Sequence, residues 1–241
     1  MAKTYEALSK AEESHSGDPG LSSNLTKWRC PDLTNKKELS DLLQKITIDV
    51  QKNGLKIFHF ASNRKGEGTS TVVVNLANLI MDAKSFNYVL LIDANRERPV
   101  LHQAFNVASS PGLNEILMEK IEYSEAVKKI GSSDIYVMPN GTKSASKSSN
   151  IEQKKFSSFV SKIRDQYELI IIDSPPLLTS SDSLSLANCA DSTYLVVQAH
   201  NTQWEVVEQT KNYLNEYKRL IGGVILNRVQ QSIPSWIYKR L

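Results

Sequence analysis

Six short segments between residues 56 and 226 are mostly continuous apolar stretches rather than alternations of apolar and polar residues. Continuous Val, Ile and Leu runs are typical of strands that are buried on both faces of a parallel sheet. The pattern predicts strands at residues 56–61, 88–93, 134–138, 168–173, 193–198 and 220–226.

The segments between these runs carry apolar residues at helical spacing. They predict helices at residues 35–52, 69–84, 99–106, 112–129, 151–166, 181–190 and 203–218. Strands that alternate with helices predict an α/β fold with a doubly wound, mainly parallel sheet. Sheets of this kind bind their ligands at the carboxyl ends of the strands.

The first residues differ from the rest of the chain. Residues 4–13 have the spacing of a short amphipathic helix, and residues 14–24 are rich in Ser, Gly and Pro. We therefore expect a leader helix and flexible linker at residues 1–24, followed by one domain at residues 25–241.

Composition narrows the class of protein only slightly. The net charge of +3 comes from mixed acidic and basic residues, which predicts no nucleic-acid partner. Cys30 and Cys189 lie far apart, so we interpret them as buried structural thiols in a reducing compartment. We assign Trp28 and Trp204 to packing. No apolar run is long enough to span a bilayer, which predicts a cytoplasmic protein unless a partner holds it at the inner face of the membrane.

The loop between the first strand and its helix has the pattern of a phosphate-binding loop. Residues 62–71 read Ser-Asn-Arg-Lys-Gly-Glu-Gly-Thr-Ser-Thr. Backbone N–H groups of such a loop and the dipole of the following helix attract phosphate. The usual pattern ends in Gly-Lys-Ser/Thr, but Thr69 occupies the lysine position here. Arg64 or Lys65 is an alternative cation, unless both are solvated loop charges.

Two of the predicted strands end in aspartate, at Asp93 and Asp173. A doubly wound sheet brings both to the edge that carries the phosphate loop. Carboxylates placed there hold Mg²⁺ or its waters in phosphoryl-transfer proteins, with a loop hydroxyl such as that of Ser70. A single aspartate in this position is as readily explained as a helix N-cap.

Three segments occur in the order and at the spacing of the Walker A, Walker A′ and Walker B motifs, at residues 66–71, 90–99 and 171–176. On these motifs the chain resembles the bacterial tyrosine kinases of capsular and exopolysaccharide biosynthesis, which have a P-loop NTPase fold. The resemblance covers nearly the whole chain, because it continues at residues 5–12, 101–105, 112–117 and 221–228. Wider relatives are the deviant Walker A ATPases that position division sites and plasmids.

The resemblance implies a cofactor, site residues and partners. The cofactor is ATP or ADP with Mg²⁺, bound weakly. The implied nucleotide-binding residues are Gly66, Glu67, Gly68, Thr69, Ser70, Thr71 and Asn227. The implied metal ligands are Ser70, Asp93 and Asp173, and the two aspartates are the implied catalytic residues. The implied partners are a membrane polysaccharide co-polymerase, which regulates chain length, and further copies of the chain in a homo-oligomer.

The sequence departs from the family pattern at several positions. Besides Thr69, Asn95 replaces the second carboxylate of Walker A′. Asp41 and Gln44 stand where the family has two ring-building arginines, so we expect a monomer or small oligomer rather than a closed ring. The C-terminal tyrosine cluster is reduced to Tyr238.

Three functions fit these observations. The first is a regulatory or scaffolding member of the kinase family with weak or lost phosphotransfer. The second is an active ATP-dependent tyrosine autokinase with a rearranged cation, and the third is a positioning-type ATPase. The lost lysine, arginines and tyrosines favour the first. The last residues leave a second choice open, because Trp236 and Tyr238 beside two basic residues fit either a membrane-associated contact or docking onto the domain itself.

Overall fold

A seven-stranded sheet forms the centre of the computed structural model, which describes residues 36–142, 151–217 and 219–229. The strand order is β3-β4-β2-β5-β1-β6-β7, and every neighbouring pair is parallel except β3 and β4. The strands are β1 (Ile57–Ser62), β2 (Val89–Asp93), β3 (Lys128–Lys129), β4 (Ile135–Met138), β5 (Leu169–Asp173), β6 (Ser192–Gln198) and β7 (Ile221–Asn227). The predicted fold and all six predicted strands are confirmed.

Helices cover both faces of the sheet. They are α1 (Lys36–Asn53), α2 (Thr69–Ala83), α3 (Leu101–Ala104), α4 (Leu113–Leu117), α5 (Tyr123–Ala126), α6 (Gln153–Ile163), α7 (Ser181–Ala187) and α8 (Trp204–Glu216). A 3₁₀ turn at Arg164–Gln166 extends α6. The six longer or medium-length predicted helices are present, although α3 is only a single turn.

The single helix predicted at residues 112–129 is wrong. The structure has two short helices there, α4 and α5, followed by the two-residue strand β3. β3 pairs antiparallel with β4, where Lys129 lies opposite Tyr136. The apolar spacing of this segment reflects contacts with the core made by separate turns, such as Leu113 and Ala126, rather than one helical face.

The side chains of β1 alternate between two hydrophobic layers. Phe58 and Phe60 point to the layer covered by α1 and α2, where Ile46 and Leu76 are buried. Ile57 points to the opposite layer, which α6 and α7 cover. Because both layers exclude water from β1, all six of its residues are buried, as the continuous apolar pattern indicates.

Two smaller expectations are wrong. Trp204 does not pack in the core: it begins α8 with 61% of its surface exposed, and the Lys211 amine lies 5.7 Å from its ring centroid. Cys189 is only partly buried, and its thiol lies 3.3 Å from the Ser185 carbonyl oxygen.

Several predictions concern residues outside the described part of the chain. These are the leader and linker at residues 1–24, Trp28, Cys30, most of the polar loop 142–150 and the C-terminal segment with Tyr238. Within the described residues, no helix is both long and apolar enough to cross a membrane.

One buried polar side chain in the central strand makes the fold sensitive to acid. His59 is fully buried on β1, and its Nδ1 lies 3.3 Å from the Thr193 hydroxyl. Burial lowers the pKa of His59 from 6.5 to about 3. Between these values the unfolded chain binds a proton that the folded chain does not, so the contribution of His59 to stability falls as the pH falls.

We predict that His59→Leu removes this contribution to the pH dependence. From pH 7 to pH 5 the wild type should lose about 2 kcal/mol more unfolding free energy than the variant. Buried carboxylates such as Asp93 act in the opposite direction, but their effect cancels in the difference between variants. Urea unfolding at the two pH values measures the difference. Replacing the exposed His200 by Asn is the matched control, and an equal pH dependence in His59→Leu and wild type would contradict the prediction.

Candidate nucleotide site

The phosphate loop runs from the end of β1 to the start of α2, as the sequence predicts. Gly66 and Gly68 have φ angles of 88° and 96°, in the left-handed region that favours glycine. The helical hydrogen bonds begin where the Val72 N–H donates to the Gly68 carbonyl at 3.0 Å. The loop therefore has the backbone shape that directs N–H groups towards a bound anion at a helix N-terminus.

A buried carboxylate holds the loop in this shape. Glu67 Oε2 accepts hydrogen bonds from the backbone N–H groups of Asn63 at 2.7 Å and Arg64 at 2.9 Å. Its other oxygen accepts a short hydrogen bond from the hydroxyl of Thr202, in the loop between β6 and α8. Glu67 was expected among the nucleotide-binding residues, and its carboxylate instead contacts the loop's own backbone.

The end of β7 supports the same loop. The side-chain amide of Asn227 donates to the Glu67 carbonyl oxygen at 2.9 Å, while its oxygen accepts from the Arg228 N–H at 2.9 Å. A Cβ atom on Gly68 would lie 2.1 Å from the Asn227 amide nitrogen. Asn227 thus lies directly against the loop, and only glycine at position 68 leaves room for it.

Thr69 begins α2 at the position where the motif usually has lysine. Its side chain is 6% exposed, and its hydroxyl finds no hydrogen-bond partner among the described residues. A buried hydroxyl without a partner is costly, so its retention at this position points to a ligand or water contact. Ser70 and Thr71 line the same cavity.

The two aspartates predicted to lie together do so. Asp93 and Asp173 are directly opposite each other at the ends of the paired strands β2 and β5, and both are fully buried. Asp93 accepts hydrogen bonds from the N–H groups of Val100 at 2.9 Å, Leu101 at 3.0 Å and Asn95 at 3.3 Å. It therefore caps α3 as well as facing Asp173.

Asp173 has a different environment. Neither of its carboxylate oxygens has a hydrogen-bond partner among the described residues. Burial, together with the nearby charge of Asp93, raises the pKa of Asp173 well above its usual range, and the Ser70 hydroxyl acts in the opposite direction. Burial also raises the pKa of Asp93, against the effect of its three backbone donors. Two buried carboxylates with raised pKa values form a site that a divalent cation would stabilise.

A cavity of about 320 Å³ lies above the loop and the strand ends. Three cationic side chains line it: Lys65, Arg98 and Arg228. The Lys65 amine forms an ion pair with the Glu97 carboxylate, 2.7 Å away. Arg64, the other cation considered from the sequence, is exposed and does not line the cavity. Asn95 also lines it, and its side-chain oxygen accepts from the Arg98 N–H at 3.2 Å.

Sequence reasoning missed several of these residues. Thr202 and Glu97 lie outside the motifs, and Arg228 follows the last predicted strand. Asn63 is fully buried, yet neither polar atom of its side chain has a partner among the described residues. The only sequence signal for Asn63 and Arg228 was their place next to a strand end, where ligands bind in this type of sheet.

A glycine-rich loop between a central parallel strand and a helix, beside aspartates on adjacent strand ends, defines a P-loop nucleoside-triphosphatase fold. The chain belongs to the AAA domain family, whose sequence profile matches residues 55–223, more than half of its length.

Its relatives are bacterial tyrosine kinases. The chain is 27% identical over 197 residues to tyrosine-protein kinase YwqD of Bacillus subtilis, covering 82% of each protein. It is 27% identical over 207 residues to tyrosine-protein kinase CpsD of Streptococcus agalactiae, covering 85% of this chain and 88% of the relative. The kinase domain of Escherichia coli tyrosine kinase ETK has the same fold, with a TM-score of 0.76 and 20% identity over 92% of this chain and 88% of that domain.

We predict that Glu67→Ala destabilises the protein by about 2–4 kcal/mol, because two buried backbone N–H groups and a hydroxyl lose their acceptor. Glu67→Gln is the matched control. Its amide oxygen still accepts from the backbone and its nitrogen still contacts Thr202, so the loss should stay near 1 kcal/mol. Urea unfolding at pH 7 measures both variants. Equal losses would show that the charge of Glu67, rather than its hydrogen-bond geometry, stabilises the loop.

Proposed function

We propose that this protein is a regulatory or scaffolding member of the bacterial tyrosine-kinase group, with weak nucleotide binding and weak or lost phosphotransfer. It acts with a membrane polysaccharide co-polymerase in capsule or exopolysaccharide biosynthesis. The kinase names of its relatives support the group, and the motif resemblance supports the pathway and partner. A single observation carries the regulatory role: Thr69 stands at the lysine position of an otherwise well-formed phosphate loop.

The missing lysine has a larger effect on transfer than on binding. One unit charge about 4 Å from a phosphate oxygen is worth roughly 4 kcal/mol at an effective dielectric of about 20. The loop's backbone N–H groups remain, so ground-state binding is weakened rather than abolished. The transition state depends more strongly on such cations, and a few kcal/mol lowers the rate by about 10³-fold or more.

The residues present fit Mg²⁺ and a nucleotide. Asp173, with both oxygens unpartnered, and the Ser70 hydroxyl would hold the metal, with Asp93 beside them. Residues 66–71 would hold the phosphates. Mg²⁺ neutralises phosphate charge when bound. This chain's own contribution is the fixed shape of the loop, which Glu67 and Asn227 maintain through hydrogen bonds.

An active autokinase is the second candidate, and the cations that line the cavity favour it. Lys65, Arg98 and Arg228 surround the loop, although Lys65 is paired with Glu97. A shift of Lys65 from Glu97 to a phosphate exchanges one exposed ion pair for another, and exposed pairs are worth only about 0–1 kcal/mol. Such an exchange is energetically accessible, so activity has to be measured directly.

We predict that Thr69→Lys tightens nucleotide binding roughly tenfold or more, because even about 1.4 kcal/mol of recovered attraction corresponds to one decade. Calorimetry with ATP and Mg²⁺ measures the affinity. Thr69→Met is the matched control, since it adds a side chain of similar length without charge and should not tighten binding. Unchanged affinity in Thr69→Lys would mean that Lys65, Arg98 or Arg228 already supplies the charge.

We predict that the purified protein shows little or no tyrosine autophosphorylation. The assay uses labelled ATP with Mg²⁺, with and without the cytoplasmic part of the co-polymerase. Retained ATP binding without phosphotyrosine supports the regulatory role. Strong phosphotyrosine that disappears in Asp173→Ala would replace it by the autokinase, and hydrolysis without phosphotyrosine would favour the positioning-type ATPase.

A further inference from the structure

A second cavity, of about 570 Å³, lies between α1 and β7, away from the aspartates. Its apolar wall includes Leu39 and Leu42 of α1 and Val224 and Leu226 of β7. We call it the α1–β7 cleft. Glu38, Asp41 and Lys45 of α1 also line it. Nothing in the phosphate-loop chemistry uses these residues.

The cleft follows an unpaired sheet edge. Among the described residues, β7 has a strand neighbour on one side only, which is β6. Its apolar side chains are unusually exposed for a seven-residue strand: Leu226 is 57% and Val224 40% exposed, and the preceding Leu220 is 56% exposed. Proteins usually cover or charge such an edge, because its free N–H and C=O groups attract further strands.

Two glycines keep the cleft open. A Cβ atom on Gly222 would lie 2.4 Å from the Ser192 hydroxyl oxygen and 2.9 Å from the Tyr194 ring, so no other residue fits there without rearrangement. Gly223 also lies against the Tyr194 ring. Because neither residue has a side chain, the middle of β7 leaves a channel beside α1 that an extended segment fits.

The geometry points to the chain's own residues 230–241 as the occupant of the α1–β7 cleft. The segment would turn back after Val229 and lie along β7, covering its apolar side chains and its free edge. This inference concerns a surface separate from the phosphate loop, and it does not depend on nucleotide binding.

Chain connectivity supports this occupant. Val229 itself lines the cleft, so residue 230 begins at its wall. Twelve extended residues reach roughly 40 Å, whereas the seven residues of β7 span roughly 23 Å. The segment is therefore long enough to turn and follow the whole strand. Covalent attachment also gives it an effective concentration of about millimolar or more, which favours it over a separate molecule.

The chemistry of the segment matches that of the cleft. Its sequence combines the apolar residues Ile233, Trp236 and Ile237 with the basic pair Lys239 and Arg240. The cleft combines an apolar wall with two acidic side chains of α1 at its border. An aromatic residue buried beside an oppositely charged pair is a common anchor in peptide recognition.

Hydrogen–deuterium exchange of the full chain tests the inference. We predict that Trp236→Asp speeds exchange of the amides in residues 221–227 at least tenfold, because the edge of β7 loses its cover. Ser235→Asp is the matched control: it adds the same charge at the neighbouring position without removing an apolar side chain, and exchange should change little.

A charge exchange identifies the contact with α1. Asp41→Lys should also speed exchange of β7, and combining it with Lys239→Glu and Arg240→Glu should restore protection. Asp41 is exposed, so its substitution should not unfold the domain. Protection of wild-type β7 that does not vary over a wide range of protein concentration is expected for an intramolecular contact. Protection that increases with concentration would overturn the inference in favour of a second copy. Wild-type amides that exchange as fast as those of Trp236→Asp would show that the segment does not cover the cleft.

Discussion

The burial of β1 at the centre of the sheet is the constraint on which the rest of the structure depends. Hydrogen bonds to β5 on one side and β6 on the other leave its backbone no freedom. The chain leaves this strand at Ser62 in a fixed place and direction, and the loop that follows starts from there. The same arrangement carries Asp173 to the loop, because it lies directly opposite Phe60 of β1.

Charge is distributed unevenly around the resulting site. Glu67, Asp93 and Asp173 are all buried, whereas the cation closest to the loop, Lys65, is exposed and paired with Glu97. Each buried carboxylate is balanced differently. Glu67 is balanced by backbone N–H groups and a hydroxyl, and Asp93 by three N–H groups. Asp173 has neither, which makes it the position where the site most needs a cation. The protein thus preserves a metal-binding geometry while lacking the lysine that normally completes it.

The strands and the pairing of the aspartates could be predicted because they follow from local patterns. A continuous apolar run indicates a buried parallel strand, and the ends of parallel strands meet at one edge. Residues 112–129 could not be predicted, since the same spacing of apolar residues fits one long helix or two short ones that contact the core separately. The role of Glu67 was also out of reach. Its hydrogen bond to Thr202 joins residues 135 positions apart, and no local signal announces it. Trp204 failed for a related reason, because hydrophobicity alone does not tell which side of a helix faces the core.

The contact between Asn227 and Glu67 has a consequence for synthesis of the protein. It joins residues 160 positions apart, so the phosphate loop near the beginning of the domain is supported by the last strand to leave the ribosome. Sheet pairing follows the same order, since β1 must wait for β5 and β6 before either of its edges is covered. Domains generally fold as units during translation. A nascent chain of this protein therefore carries an incomplete loop until nearly all of the domain has been made, and its cavity becomes available only to the finished molecule.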